Sequence, residues 1–103
     1  MEKVIRNGKV AILVSHGFGA GWYSWNTEYQ QLLFNPKLVE MVEQNHTDEL
    51  TEEWVKENLG IDIYADGSKG LEIHWLPIGT PFEIEECDGA ESLITSTNLV
   101  LVA

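Results

Sequence analysis

Apolar positions recur along this chain in two rhythms, one of period two towards both ends and one of helical spacing between them. Residues 2–6 and 9–15 flank Asn7-Gly8, and strand-like runs joined by Asn-Gly predict a β-hairpin, because both central residues of a type I′ turn need positive φ. Residues 27–34 have no clean period and fit one or two helical turns. Asn35-Pro36 then reads as an N-cap followed by proline at the first helical position, where its missing N–H costs nothing. Leu38, Val39, Met41 and Val42 form the apolar stripe of a short helix ending near Asn45. A second helix is expected from Asp48 to Leu59, started by Thr47 and stopped by Gly60, with Leu50, Trp54 and Val55 inward. Its acids Asp48, Glu49, Glu52 and Glu53 would lie in the first turns, where the helix dipole favours anions.

Period two returns after this helix. Leu71, Ile73 and Trp75 alternate with Glu72, His74 and Leu76 until Pro77-Ile78-Gly79-Thr80-Pro81 breaks the run. Residues 82–87 and 90–95 flank Asp88-Gly89, a second hairpin signal, and residues 98–102 can supply a last strand. In that hairpin Glu83, Glu85 and Cys87 share a wet face, while Phe82, Ile84 and Leu93 face the core. The order predicts one α+β domain over residues 1–103. Its architecture is a small, mostly antiparallel sheet of about four to six short strands with two or three short helices on one face.

Composition narrows the function classes. The single Cys87 forms no internal disulfide, and the N-terminal residues lack a secretory pattern, so a reducing cytoplasm is expected. The longest apolar run, residues 10–14, is far too short for a bilayer, and no membrane partner is expected. Formal charge is −11, from 17 acids against 6 Lys plus Arg. Residues 1–25 hold Lys3, Arg6 and Lys9 against Glu2 alone, so the acid is confined to the later three quarters of the chain. Such a field disfavours direct binding of nucleic acid and suits solubility or a basic protein surface.

The least ordinary stretch is HGFGAGWYSWN, residues 16–26, with three glycines and four aromatic rings. Its first residues resemble the oxyanion turn of α/β-hydrolases, but no G-x-S-x-G elbow surrounds any serine, so hydrolysis is rejected. The spacing G-x-G-x-G fits neither the dinucleotide fingerprint nor the P-loop. Two readings remain. Either the aromatics are core and the glycines turn the chain over them, or backbone N–H groups form an anion nest beside stacking faces. On the second reading the ligand-binding residues are Gly17, Phe18, Gly19, Ala20, Gly21, Trp22, Trp25 and Asn26.

Other residues carry weaker signals. Glu86 falls opposite Glu91 across the Asp88-Gly89 hairpin, and like charges across a ladder destabilise it. That conflict fits either a solvated turn or a cation or basic-partner site, and Glu83, Glu85, Glu86, Asp88 and Glu91 make up the alternative partner-binding set. His16, His46, His74 and Cys87 show no ligand spacing, and there is no EF-hand pattern, so neither a metal site nor a cofactor is expected. His74, on the polar side of its strand, reads as a surface or partner-contact residue, and Trp54 and Trp75 read as core. Cys87, between Glu86 and Asp88, lacks the electropositive setting of a nucleophilic cysteine. No catalytic residue is expected.

Taken together, GFGAGWYSWN, LLFNPKLVEMVE and EIEECDGAESL make the chain similar to a widespread group of small, largely uncharacterised phage and prophage proteins. The resemblance implies a protein of the host cytoplasm, made during infection or lysogeny. It also leads one to expect tyrosine where Cys87 stands, which tells against catalytic use of the thiol. Two functions fit. One is a non-enzymatic protein that sequesters a nucleotide-derived ligand, an immune signal for instance, in the glycine-aromatic loop at a homo-oligomer interface. The other is an acidic protein that inhibits a host nuclease or defence effector by occupying its basic, nucleic-acid-binding surface.

Overall fold

One strand organises the fold. In the computed structural model, which describes residues 1–17, 19–95 and 101–103, β2 (Lys9–Ser15) has no exposed residue after Lys9. Ala11 and Leu13 point into one apolar cluster, with Leu32, Leu38, Val39, Leu50, Val55 and Leu71. Val10, Ile12 and Val14 point into a second, with Leu33, Phe34, Phe82 and Ala103. The uninterrupted apolar run thus reflects a strand covered on both faces.

Around β2 the strands form two three-stranded antiparallel sheets. The first has the order β1–β2–β3, with β1 Ile5–Arg6 and β3 Leu71–Pro77. The second has the order β5–β4–β6, with β4 Pro81–Cys87, β5 Ala90–Thr95 and β6 Leu101–Val102. The single sheet expected from the sequence is therefore divided. The second sheet packs through Phe82 on the Val10–Ile12–Val14 face, where Phe34 meets Phe82 edge-on at 6.1 Å between ring centres. The opposite face of β2 carries the two longer helices.

Local chemistry accounts for most boundaries. Asn7 and Gly8 take φ of 52° and 75°, and Asp88 and Gly89 take 51° and 88°, so both two-residue hairpins are built as their sequences require. Helix α1 is the short Gln31–Phe34, and α2 (Pro36–Glu43) begins at Asn35, whose side chain accepts the Lys37 N–H at 2.9 Å. Arg6 forms a bidentate pair with Glu43 (2.6 and 2.8 Å), tying the first hairpin to α2.

Helix α3 corrects an expectation. It runs Glu52–Leu59, capped by the Thr51 side chain on the Trp54 N–H and closed by Gly60 in the left-handed region. Thr47–Glu49 is a separate 3-10 turn, because Leu50 is buried in the core with a non-helical ψ of 71° and interrupts the helix. Of the four acids expected in the first turn, only Glu52 and Glu53 lie there. For the last strand, residues 98–100 lie outside the described residues, while Leu101–Val102 pairs with β4.

Removing the Asn35 cap should measure its contribution. Asn35→Ala is expected to destabilise the protein by about 1 kcal/mol and lower Tm by roughly 4–8 °C; an unchanged thermal melt would exclude a capping role.

Candidate functional site

The glycine-rich loop leaves β2 at Ser15 and is bound to the protein by a buried carboxylate. Glu91, on β5 and only 1% exposed, lies on the inward face shared with Leu93 and, across the ladder, with Ile84 and Glu86. Its Oε1 accepts the Ser15 N–H at 2.8 Å. Its Oε2 accepts the Trp22 N–H at 2.9 Å, the Ser24 N–H at 2.8 Å and the Ser24 hydroxyl at 2.6 Å. Three backbone donors, one at the end of β2 and two in the loop that follows it, are thereby satisfied.

The glycines serve the same arrangement. Gly19 has φ of 101° and donates to the Asp88 carbonyl at 2.7 Å, bringing the loop against the β4–β5 turn. A Cβ on Gly89 would overlap the Ala20 backbone, and one on Gly67 would overlap the Gly21 carbonyl. The loop is therefore clamped, backbone on backbone, between the β4–β5 turn and the 3-10 turn Asp66–Gly70. Ser15 extends the clamp by donating its hydroxyl to the Gly67 carbonyl at 2.7 Å.

These facts decide what the predicted loop residues do. Trp22 is wholly buried in the helix-side cluster and donates its indole N–H to the Leu32 carbonyl at 2.8 Å, so its ring is core and not a stacking face. Ala20 and Gly21 are buried too. Asn26 works inwardly: its amide donates to the Trp22 and Tyr64 carbonyls (2.8 and 2.9 Å), and its Oδ1 accepts the Tyr64 N–H at 2.9 Å. Phe18 lies outside the described residues. The Trp22 and Ser24 amides do form an anion nest, an internal one filled by Glu91.

Trp25 behaves differently. It is 42% exposed and lies beside Tyr64, 44% exposed, with ring centres 5.3 Å apart and planes tilted by 34°. The Tyr64 hydroxyl donates to Asp66 at 2.9 Å, and that carboxylate, with Glu52 further off, raises the phenol's pKa. Tyr64 was not singled out from sequence. Its only signal is Asn26, which reaches across the fold to hold it.

The acidic set also divides. Glu83, Glu85 and Asp88 are exposed, and Glu86 accepts the Gly89 N–H at 2.6 Å, stabilising its own turn. Glu86 and Glu91 do pair across the ladder, as expected. Glu91 leaves the partner-binding set, however, because its carboxylate turns inward to the loop amides. The like-charge conflict is thus relieved by hydrogen bonds and needs no outside cation.

A further cluster depends on the β2–β3 register. His16 follows β2 and donates its backbone N–H to the Gly70 carbonyl, while Glu72 and His74 stand two residues apart on β3. The register pairs Val14 with Glu72 and Ile12 with His74, which brings both β3 side chains to the face beneath His16. The Nε2 atoms of His16 and His74 lie 2.8 Å apart, and Glu72 Oε2 lies 3.6 Å from that of His16. Burial, reinforced by the neighbouring His16, lowers the pKa of His74, with Glu72 opposing. Sequence spacing missed the pair, since 58 residues separate the two histidines.

No family model, curated protein or solved structure matches the chain. Among the described residues, no helix is long and apolar enough to cross a membrane.

Two variants test the clamp. In Glu91→Gln one oxygen becomes an NH₂ facing N–H donors, so the substitution is expected to destabilise by about 3–5 kcal/mol, read as a large fall in Tm. Gly67→Ala should likewise lower Tm, because the Gly21 carbonyl must move. Wild-type melts in both variants would rule out the clamp.

Proposed function

We propose that this protein is a non-enzymatic interaction protein that docks, through an acidic face, on the basic nucleic-acid-binding surface of a host nuclease or defence effector. The observation carrying this reading is the outward face of the second sheet. Glu83 and Glu85 project from β4 beside exposed Asp88, and none of the three takes part in the ion pairs found among the described residues. Carboxylates with no ion-pair partner among the described residues are available to an external one. Their field, within a net charge of −11, steers a basic surface and repels phosphates. A host-cytoplasmic setting during phage infection or lysogeny belongs to the same proposal.

One observation favours a second reading. Trp25 and Tyr64 offer two half-exposed rings on which a flat ligand, such as the base of a nucleotide-derived signal, can stack. The loop would then contribute this aromatic wall, and a second copy of the chain would close the site. Asp66, bonded to the Tyr64 hydroxyl, and Glu52 further off oppose a phosphate there, which is why the acidic reading ranks first.

The two readings separate in one comparison. Immobilised wild type and Glu83→Lys/Glu85→Lys are incubated with nuclease-treated host extract, and wild type is weighed by native mass spectrometry. The first reading expects a basic protein that elutes steeply with salt and is lost in the charge-reversed variant. A small molecule retained by wild type and lost in Trp25→Ala, with no basic protein bound, would transfer the assignment to the second.

A further inference from the structure

We infer that His16, Glu72 and His74 form a binding site for a divalent transition metal, of which Zn²⁺ is the natural occupant. The ligand atoms of these three side chains all lie within 4.8 Å of one another. Two imidazole Nε2 atoms face each other at 2.8 Å, a contact met by an N–H···N hydrogen bond in the metal-free protein and by a cation between the two lone pairs when one binds. Tetrahedral zinc with bonds of about 2.0–2.1 Å separates its ligand atoms by roughly 3.3 Å. The histidine nitrogens would part by about half an ångström, and the Glu72 oxygen, now 3.6 Å from His16 Nε2, would close by a few tenths. The third pair, Glu72 with His74, lies within the same 4.8 Å and would close by up to about 1.5 Å.

The backbone positions the donors in advance. The pairing of Ser15 with Leu71 and the His16 N–H bond to Gly70 fix where β2 ends, while Glu72 and His74 share one face of a paired strand. The Ser15 amide is itself held by Glu91, so the segment carrying His16 is anchored on both sides. His16 and Glu72 are exposed and His74 is half-buried, which leaves the site open to solvent and a fourth position free for water. Two imidazoles and one carboxylate select borderline ions such as Zn²⁺, Co²⁺ or Ni²⁺ over Mg²⁺ and Ca²⁺, which prefer all-oxygen sets. The strongly acidic molecule also concentrates cations around itself. The bound ion would bridge the start of the glycine loop to the edge strand β3, 58 residues away in the chain.

The full-length chain, stripped with chelator, is titrated with Zn²⁺ by calorimetry and with Co²⁺ by visible absorption. One saturable equivalent per chain is expected, with a tetrahedral-type Co²⁺ spectrum and an upward Tm shift on the order of 10 °C at a hundredfold excess over Kd. His16→Gln and His74→Gln should each weaken uptake by more than about tenfold, and Glu72→Gln should weaken it less. His46→Gln, altering the histidine beside Glu49, should leave it unchanged. Metal-free melts report whether each variant folds, and the exposed His16 keeps the test decisive if His74→Gln does not. The site is refuted by an absence of saturable uptake, by full uptake in His16→Gln, or by uptake lost in His46→Gln.

Discussion

A carboxylate taken out of water has to be met by donors, and Glu91 is met by the amides of Ser15, Trp22 and Ser24 and by the Ser24 hydroxyl. This single side chain joins the end of β2, the aromatic part of the glycine loop and the start of β5 in the second sheet. Burying it would be strongly unfavourable without those bonds, and the loop amides would be under-bonded without it. Each side therefore requires the other. The close backbone contacts at Gly67 and Gly89 follow, because the loop reaches the carboxylate only by lying directly on its two flanking turns.

The inward placement of Glu91 reassigns the surrounding chemistry. Trp22 and Asn26 become supports, and the polar capacity of the loop is spent within the protein. What faces outward is the Trp25–Tyr64 pair, the carboxylates of Glu83, Glu85 and Asp88, and the His16–Glu72–His74 cluster. The acidic face and the histidine cluster belong to different sheets, the first to β4 and the second to β3 and the residue that follows β2.

Elements whose signals are local were legible. Asn7-Gly8, Asp88-Gly89 and Asn35-Pro36 act through φ, a missing N–H or a side chain two residues away, and all three appear where expected. The start of α3 was misplaced because Thr47 and Thr51 are both sound N-caps, and only the burial of Leu50 chooses between them. The division into two sheets was hidden for a similar reason. Residues 10–14 show that a strand is apolar on both sides, but not that a second sheet covers one of them.

By itself, the sequence determined the α+β class, both hairpin turns, the α2 cap, the acidic outer face of β4 and even the Glu86–Glu91 register. Tertiary structure alone decided the direction of the Glu91 carboxylate, the burial of Trp22, the exposure of Trp25 beside Tyr64 and the meeting of His16 with His74. The reason is the range of the interactions. Turn and cap preferences act over two to four residues, whereas Glu91 reaches across 67 to 76 residues and the histidines across 58, distances at which only the packed chain sets who meets whom.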